Sequence, residues 1–513
     1  MLLGPKQYLQ SILATRSGYI IFWGLLYTLF ILLASSAFLY KIPLPESNIS
    51  INTANFSISD ADEPDLVADK SWRKVDLPNH WRINAKDATN VWYQTNLKLS
   101  VPPNRLWSIL IPATKMNAAV YLNGELLGNG GRFSDPVARN WMTPLFYSIP
   151  NGLLKPGDNS IHVRVKSDPP GSGYLSALYL APYPDLYASY EVHRSIRITL
   201  VQIFTILLFV QSALIIILWF ASRKNLYYLY YSLAATLWAL HNFNIFVVNI
   251  PVSTHLWDWF SSITLGGFSI VSALFIHQFL NLQKPRFDRF VVSAGIVASI
   301  ILLFLQGDAF YLAVKYVWNP VILSLAFYAL VILAIRAWRT QHTELQLLTI
   351  AGIVFVFYGT HDLLVVFGSI DWGNGFYIQY SAAVILTLFG LILIRRFTYS
   401  LNETETLNRD LEFRVEQKHT QLEINYQKLR LLENEQVLIK ERERLTLDMH
   451  DGMGGHLVST LAMIEAGSAS MTDVAEALRL SLDDLKHMID SLNVDENDLG
   501  AVLGMFRMRI ATR

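Results

Sequence analysis

The chain has no cysteine, which excludes disulfides, thiolate metal ligands and thiol nucleophiles. Charge is scarce, at 16% of 513 residues, while 52% are hydrophobic and the mean hydropathy is +0.31. A water-soluble protein of this size does not have that balance; one partly embedded in a bilayer does. The 41 basic and 41 acidic residues cancel, and no direct nucleic-acid binding is expected. Charge is concentrated at the C-terminal end and in short loops. Without disulfides, any domain outside the cytoplasm must stand on its hydrophobic core alone.

What is present is a series of long apolar stretches. The first, "YIIFWGLLYTLFILLASSAFLY" (19–40), follows Lys6 and Arg16 and is long enough to cross a bilayer. The alternative is a signal peptide cleaved near "ASSA" (34–37), but the run is long for that and continues past the site. Seven more candidate spans lie at 198–221, 226–248, 258–280, 290–306, 312–335, 344–368 and 377–396. Arg223 and Lys224, then Lys284, Arg286 and Arg289, then Arg336 and Arg339, then Arg395 and Arg396 fall in every second gap. The intervening loops "NIPVSTHLWD", "QGDAF" and "GSIDWGNGF" have no Lys or Arg. The positive-inside rule then puts the N-terminus and C-terminus in the cytoplasm and residues 41–197 outside. Within the apolar stretches, His241 with Asn242 and His361 with Asp362 are candidates for intramembrane signalling or for linking helices. The alternative is polar residues near helix ends, satisfied by neighbouring backbone.

Residues 45–190 read as short strands separated by turn residues, with an Asn123-Gly124 hairpin in "LNGELLG" and a Pro-Gly turn in "LLKPGDNSIHVRV". An all-β sandwich or jelly roll is expected. The blocks "WRKVDLPNHW", "WYQTNLKL", "VYLNGELLGNGGRF" and "LLKPGDNSIHVRV" occur in that order, and the region resembles the sugar-binding jelly-roll domain of family 2 glycoside hydrolases. The resemblance makes Trp72, Trp81, Trp92 and Arg132 candidate contacts for a glycan or other small ligand. For each tryptophan, packing in or around the core stands ahead of ligand contact. No carboxylate pair is assignable as acid and nucleophile, so hydrolysis is not expected.

After Arg396 the sequence becomes rich in Glu, Lys, Arg, Gln and Leu and reads as continuous helix. Val415, Leu422 and Leu429 recur every seven residues, as do Leu411, Leu432 and Ile439 on a second seam. Lys418, Asn425 and Gln436 interrupt these seams, giving an imperfect parallel coiled coil or, failing that, a single solvated helix. A second amphipathic helix, "TDVAEALRLSLDDLKHMIDSL" (472–492), follows the turn "GSASM"; two such hairpins would make a four-helix bundle.

Between them lies "ERERLTLDMHDGMGGHLVSTLAMIE" (441–465), which resembles the dimerisation and phosphoacceptor helix of sensor histidine kinases whose acceptor is followed by aspartate. By that resemblance His450 accepts the phosphate and Asp451 orients the ring or takes its proton. Glu443 and Arg444 match the charged lead-in. The family usually has Gln or His four residues after the aspartate, for dephosphorylating the response regulator. Here that position is Gly455, and His456 is one residue late, about 100° round a helix. A metal site from His450, Asp451 and His456 is the rival, but 450 and 456 do not share a helix face and no metal is expected.

The overall plan resembles the bacterial seven-transmembrane receptors with diverse intracellular signalling modules. The fold class expected is a multidomain membrane protein: an extracytoplasmic all-β jelly roll, a mostly α-helical transmembrane bundle, a cytoplasmic coiled coil and a two-helix dimerisation hairpin. Boundaries are set at 1–40, 41–197, 198–396, 397–440, 441–493 and 494–513. The last segment reads as the start of an ATP-binding domain that is missing, so a truncated kinase is expected, without ATP-dependent autophosphorylation by this chain alone. The resemblance implies ATP with Mg2+ for the full-length kinase, a homodimer, a cytoplasmic response regulator and the bacterial inner membrane. The alternative is a non-enzymatic carbohydrate-binding receptor or scaffold that recruits a partner through its coiled coil. Gly452, Gly454 and Gly455 leave room around His450 and soften its helix. Replacing Gly454 and Gly455 by alanine should stabilise the helix by roughly 0.5–1 kcal/mol per site and alter phosphotransfer or the response to signal; an assay showing both unchanged would remove that role.

Overall fold

The computed structural model describes residues 16–39, 44–46, 48–67, 72–81, 89–100, 103–223, 225–468 and 470–492, with Gly504 and Arg507. Lys6, Lys224 and the rest of 494–513, on which expectations were placed, lie outside the described residues. The chain divides into two units, Met1–Tyr399 and Ser400–Arg513.

Antiparallel strands dominate the first unit from Ile49 to Pro182. One sheet has six strands, ordered Arg73–Asp76, Thr53–Ile58, Asn90–Leu99, Gly157–Lys166, Asn117–Leu122 and Glu125–Asn129. A second has four, ordered Ile49–Ile51, Leu178–Pro182, Trp107–Ile111 and Leu145–Ile149. A small third sheet joins Asn79–His80, Tyr174–Leu175 and Thr114–Lys115. Alternation explains the central pair: Ile161, Val163 and Val165 point inward and lie opposite Thr95, Tyr93 and Val91. Asn123 and Gly124 have φ of 52° and 89°, the two positive values that a tight hairpin turn between Leu122 and Glu125 requires. One apolar core draws on both large sheets, with Phe56, Tyr93, Val120 and Val163 from the first and Ile109, Ile111, Leu145 and Leu180 from the second.

Helices follow. After α1 (Arg16–Ser36), α2 (Tyr183–Arg194) continues from the last strand, through a wide π-helical turn at Ser195–Thr199, into α3 (Leu200–Ser222). Then come α4 (Leu226–His241), α5 (Phe243–Phe246), α6 (Thr254–Phe279), α7 (Pro285–Phe304) and α8 (Gly307–Ala313). A second wide turn, Val314–Trp318, leads to α9 (Asn319–Thr340), α10 (Thr343–Phe367) and α11 (Ile378–Glu465). Seven helical stretches among the described residues are long and apolar enough to cross a membrane: Tyr19–Ser36, Tyr183–Ala221, Thr254–Phe279, Pro285–Phe304, Gly307–Thr340, Thr343–Phe367 and Trp372–Glu465. Leu207, Val210 and Leu214 on α3 and Val297, Ile300 and Ile301 on α7 face outward, as lipid contact allows.

The expected span 226–248 is different. It is a helix of 16 residues, rising about 24 Å against the ~30 Å apolar core of a bilayer. The break follows His241: Asn242 is fully buried and its amide donates to Thr205 Oγ1, after which the four-residue α5 gives way to extended chain. Short as it is, α4 lies in the middle of the bundle core, with Tyr231, Ala235, Trp238 and Ala239 all buried.

The first apolar helix packs against α10. Tyr358 donates to the Ala34 carbonyl at 3.1 Å, Gln346 Nε2 donates to Tyr19 at 2.9 Å, and Tyr27 donates to Gln346.

Two of the loops without Lys or Arg, 249–258 and 368–376, bond to the β-region, and Tyr311 does so just after the third. Arg139 N donates to Val248 O, Val137 N to Thr254 Oγ1, and Trp141 Nε1 to Asn244 O, all at 2.9–3.2 Å. Asp135 Oδ1 accepts from Thr254 N at the start of α6, and Tyr174 donates to Asp371 at 2.9 Å. A buried ion pair joins the same two parts: Arg139 Nη1 and Asp258 Oδ1 are 2.8 Å apart with side chains 6% and 13% exposed. Removing one partner strands a buried charge, at a cost of about 3–5 kcal/mol. Arg139→Ala should therefore lower the thermal unfolding midpoint in detergent sharply, and Arg139→Met with Asp258→Leu should recover most of the loss.

Candidate functional site

The Arg139–Asp258 pair is one end of a longer chain of contacts. Tyr311, in α8, places its hydroxyl 3.0 Å from Asp258 Oδ2 and 2.9 Å from Asp168 Oδ1. A phenol has one proton and can donate to only one carboxylate at a time. Both contacts are hydrogen bonds when a carboxyl supplies the second proton. Asp168 is suited to that: burial first, and then the neighbouring Asp258 charge, raise its pKa above the ordinary 3.8. Arg139 and Asp168 come from the β-region, Asp258 and Tyr311 from the helices.

This chain of groups borders a cavity of about 600 Å3 between the β-region and the helices. His80, Lys115 and Trp141 line it from the β-region, and Leu265, Ile322 and Phe355 from α6, α9 and α10. His241, anticipated from sequence, lies on its wall and bonds through Nδ1 to the Ser261 carbonyl, 3.0 Å away. Asp362, also anticipated, lies on the same wall. Its carboxylate stands at the start of α11, accepting from Tyr377 N at 3.0 Å and Ile378 N at 2.9 Å. The first amides of a helix have no acceptor within it, and a carboxylate there also suits the helix dipole. His361 sits beside it, Nδ1 2.9 Å from Asp362 Oδ1, and stacks on Phe38 at 4.4 Å and 13°. The two residues therefore link the chain after α1 to α10 and α11.

The tryptophans suggested as ligand contacts behave differently from one another. Trp81 and Trp92 are 1% and 0% exposed, so neither ring is available to a ligand. A Cβ on Gly173 would lie 1.5 Å from the Trp81 ring, which shows how closely the core encloses it. Trp72 is half-buried, 6.3 Å from the His162 ring, and Arg132 is exposed; neither lines the large cavity.

In the second unit α11 ends at Glu465, Gly467 turns the chain with φ of 65°, and α12 (Met471–Leu492) follows. His450 and Asp451 are each 86% exposed and 3.6 Å apart from Nδ1 to Oδ1, near enough for charge to act but beyond a hydrogen bond. Arg444 pairs with Glu441 at 2.6 Å, and Glu443 and His456 are exposed. Added Cβ atoms at Gly452, Gly454 and Gly455 would meet nothing within 4 Å. No group of three His, Cys, Asp or Glu suited to a metal occurs among the described residues. The heptad residues Val415, Leu422 and Leu429 are 60%, 67% and 55% exposed, so this apolar seam is uncovered on the single chain.

Residues 197–396 match the family described as 7TM diverse intracellular signalling. The match supports a seven-transmembrane receptor module in that stretch, which holds six of the seven long apolar helices and the shorter α4; the chain is a multi-pass membrane protein of signal transduction. A comparison with curated proteins finds no match. Similar solved structures include a Faecalibacterium prausnitzii beta-glucuronidase, 17% identical over 25% of this chain and 22% of that one, with a TM-score of 0.20. A Bacteroides cellulosilyticus glycosyl hydrolase family 2 member is 19% identical over 26% and 20%, with a TM-score of 0.22. A Ruminococcus gnavus beta-glucuronidase is 14% identical over 28% and 30%, with a TM-score of 0.20. This chain thus spans less than a third of the length of each.

Arg139, Asp168, Asp258 and Tyr311 were missed in the sequence, although Asp258 alone beside an apolar stretch asks for a distant cation. A carboxyl with a raised folded pKa stabilises the fold fully below its unfolded value, and that stability is lost as pH rises through the folded value. Thermal stability of the wild type should thus fall as pH rises above about 4 through the Asp168 transition. Asp168→Asn should flatten that part of the profile, as thermal shift measurements across pH would reveal.

Proposed function

We propose that the chain is the receptor and phosphoacceptor part of a bacterial sensor histidine kinase in a two-component system. The observation that carries this is a histidine–aspartate pair, His450 and Asp451, fully accessible on α11, the helix that begins in the receptor module at Ile378. A neutral imidazole nitrogen of His450 attacks the γ-phosphorus of ATP, ADP leaves, and the phosphoryl group passes to an aspartate of a response regulator. ATP and Mg2+ are brought by a nucleotide-binding domain that the described residues do not include. Asp451, 3.6 Å away, is the group that orients the ring or takes its proton. Gly455, where the related kinases have a polar side chain, argues for a weak phosphatase.

The uncovered seam of Val415, Leu422 and Leu429 supports a parallel homodimer, completed by the α11–α12 hairpins as a four-helix bundle. The β-region bonds to the Lys- and Arg-free loops 249–258 and 368–376 and to Tyr311 just after the third, which supports its location outside the cytoplasmic membrane, with the tail inside. In this reading the β-region is a jelly roll that senses an extracytoplasmic ligand, and a carbohydrate suits its sequence blocks. The bonds from Tyr358 and Gln346 to α1 support a retained first span rather than a cleaved signal.

The test supplies the purified chain with labelled ATP and the nucleotide-binding domain of a matching kinase. Acid-labile label is expected on the wild type and should be absent from His450→Gln. Label persisting in that variant would overturn the assignment.

A further inference from the structure

The large cavity has two chemically different parts. Toward the β-region it is bordered by Lys115, Arg139 and Lys315, and its inner part by Leu265, Ile322, Ala326 and Phe355. A second, apolar cavity of about 80 Å3 shares Ser269, Ala326 and Phe355 with it and adds Leu333 and Phe389. Three of the carboxylates at the first part are already engaged: Asp258 by Arg139 and Tyr311, Asp168 by Tyr311, and Asp362 by two backbone amides and His361. Asp308 is the fourth acid on the wall. Arg139 is only 5% exposed, and although Nη1 stands 2.8 Å from Asp258 Oδ1, neither Nη1 nor Nε has a well-aligned hydrogen-bond acceptor. A guanidinium with unmet donors is costly to bury, and where the side chain borders the cavity an anionic oxygen offsets that cost by charge. Lys115 Nζ stands 4.2 Å from the centre of the Trp372 ring and Lys315 Nζ 5.8 Å from that of Phe367, so positive charge is held by ring faces on either side.

We propose that this cavity binds a small amphipathic molecule, with an anionic oxygen head at Arg139 and an apolar chain between α6, α9 and α10. Its volume, about 600 Å3, is that of a small-molecule site. The occupant would touch Asp362 and Ile378, where α11 starts, so its arrival bears on the helix that carries His450. That consequence rests on the receptor-kinase reading; the binding does not. A free carboxylate and a lipid headgroup share the required chemistry.

The test uses the full chain in phosphatidylcholine nanodiscs and measures saturable binding of radiolabelled dodecanoate and its methyl ester against empty discs. The acid should bind at least tenfold more tightly than the ester. Arg139→Gln with Asp258→Asn, which leaves no unpaired charge, should reduce acid binding at least tenfold. Ala326→Phe, which fills the inner part, should abolish it at an unchanged thermal midpoint. Equal affinity for acid and ester, wild-type binding by Ala326→Phe, or no binding above empty discs would each overturn the proposal. Adding phosphatidylglycerol separates the sources: displacement of the label assigns the site to a lipid headgroup, and persistence assigns it to a free carboxylate. Phosphorylation is not read, so failure here leaves the role of His450 untouched.

Discussion

A helix that begins at the edge of an apolar bundle leaves its first amide hydrogens without acceptors, and little water is at hand to supply them. In this protein the acceptor comes from another helix. The Asp362 carboxylate, buried on α10, takes the Tyr377 and Ile378 amides and so fixes where α11 starts. Much of the first unit follows from that contact. His361 is held beside the carboxylate and gives Phe38 a ring to stack on, which brings in the chain after α1. The loop ahead of α11 is folded back, so that Asp371 receives Tyr174 and the Gly373 carbonyl receives Arg197. The β-region is thereby tied to the same few residues that begin the longest helix.

The sequence reveals what depends on neighbours along the chain. Apolar runs mark the membrane helices, Asn123-Gly124 marks its hairpin, and the alternation of basic loops picks out the side on which 249–258 and 368–376 bond to the β-region. It conceals what depends on distant partners. Tyr311 and Asp168 are 143 residues apart, and nothing local to either announces the other. Hydropathy also reads through Asn242, because a single buried amide hardly changes an average while it ends a helix. Aromatic rings were legible as important but not as inside or outside: Trp81 and Trp92 are core, and Trp141, which was not singled out, faces the cavity. His241 and Asp362 were found because an ionisable group in an apolar run is conspicuous whatever surrounds it.

The two units use polar chemistry in opposite ways. In the first, most of the polar groups described at the cavity are paired, and the Arg139 guanidinium stands out because its Nε and Nη1 have no well-aligned acceptor. In the second, His450, Asp451 and the heptad residues are uncovered, and three glycines add nothing around them. A module that holds a fixed geometry needs satisfied partners. A segment that must be approached by other proteins needs vacant surroundings.

The wide turns at Ser195–Thr199 and Val314–Trp318 complete this picture. Each takes one more residue into a turn than an α-helix does, at the cost of poorer hydrogen bonding. One lies in the helix leaving the β-region, and the other includes Val314 and Lys315 on the cavity wall. A surplus residue shifts the phase: beyond it each side chain stands about 100° from where an unbroken α-helix would put it. In both helices the faces beyond the wide turn are thus re-aimed without a break in the chain.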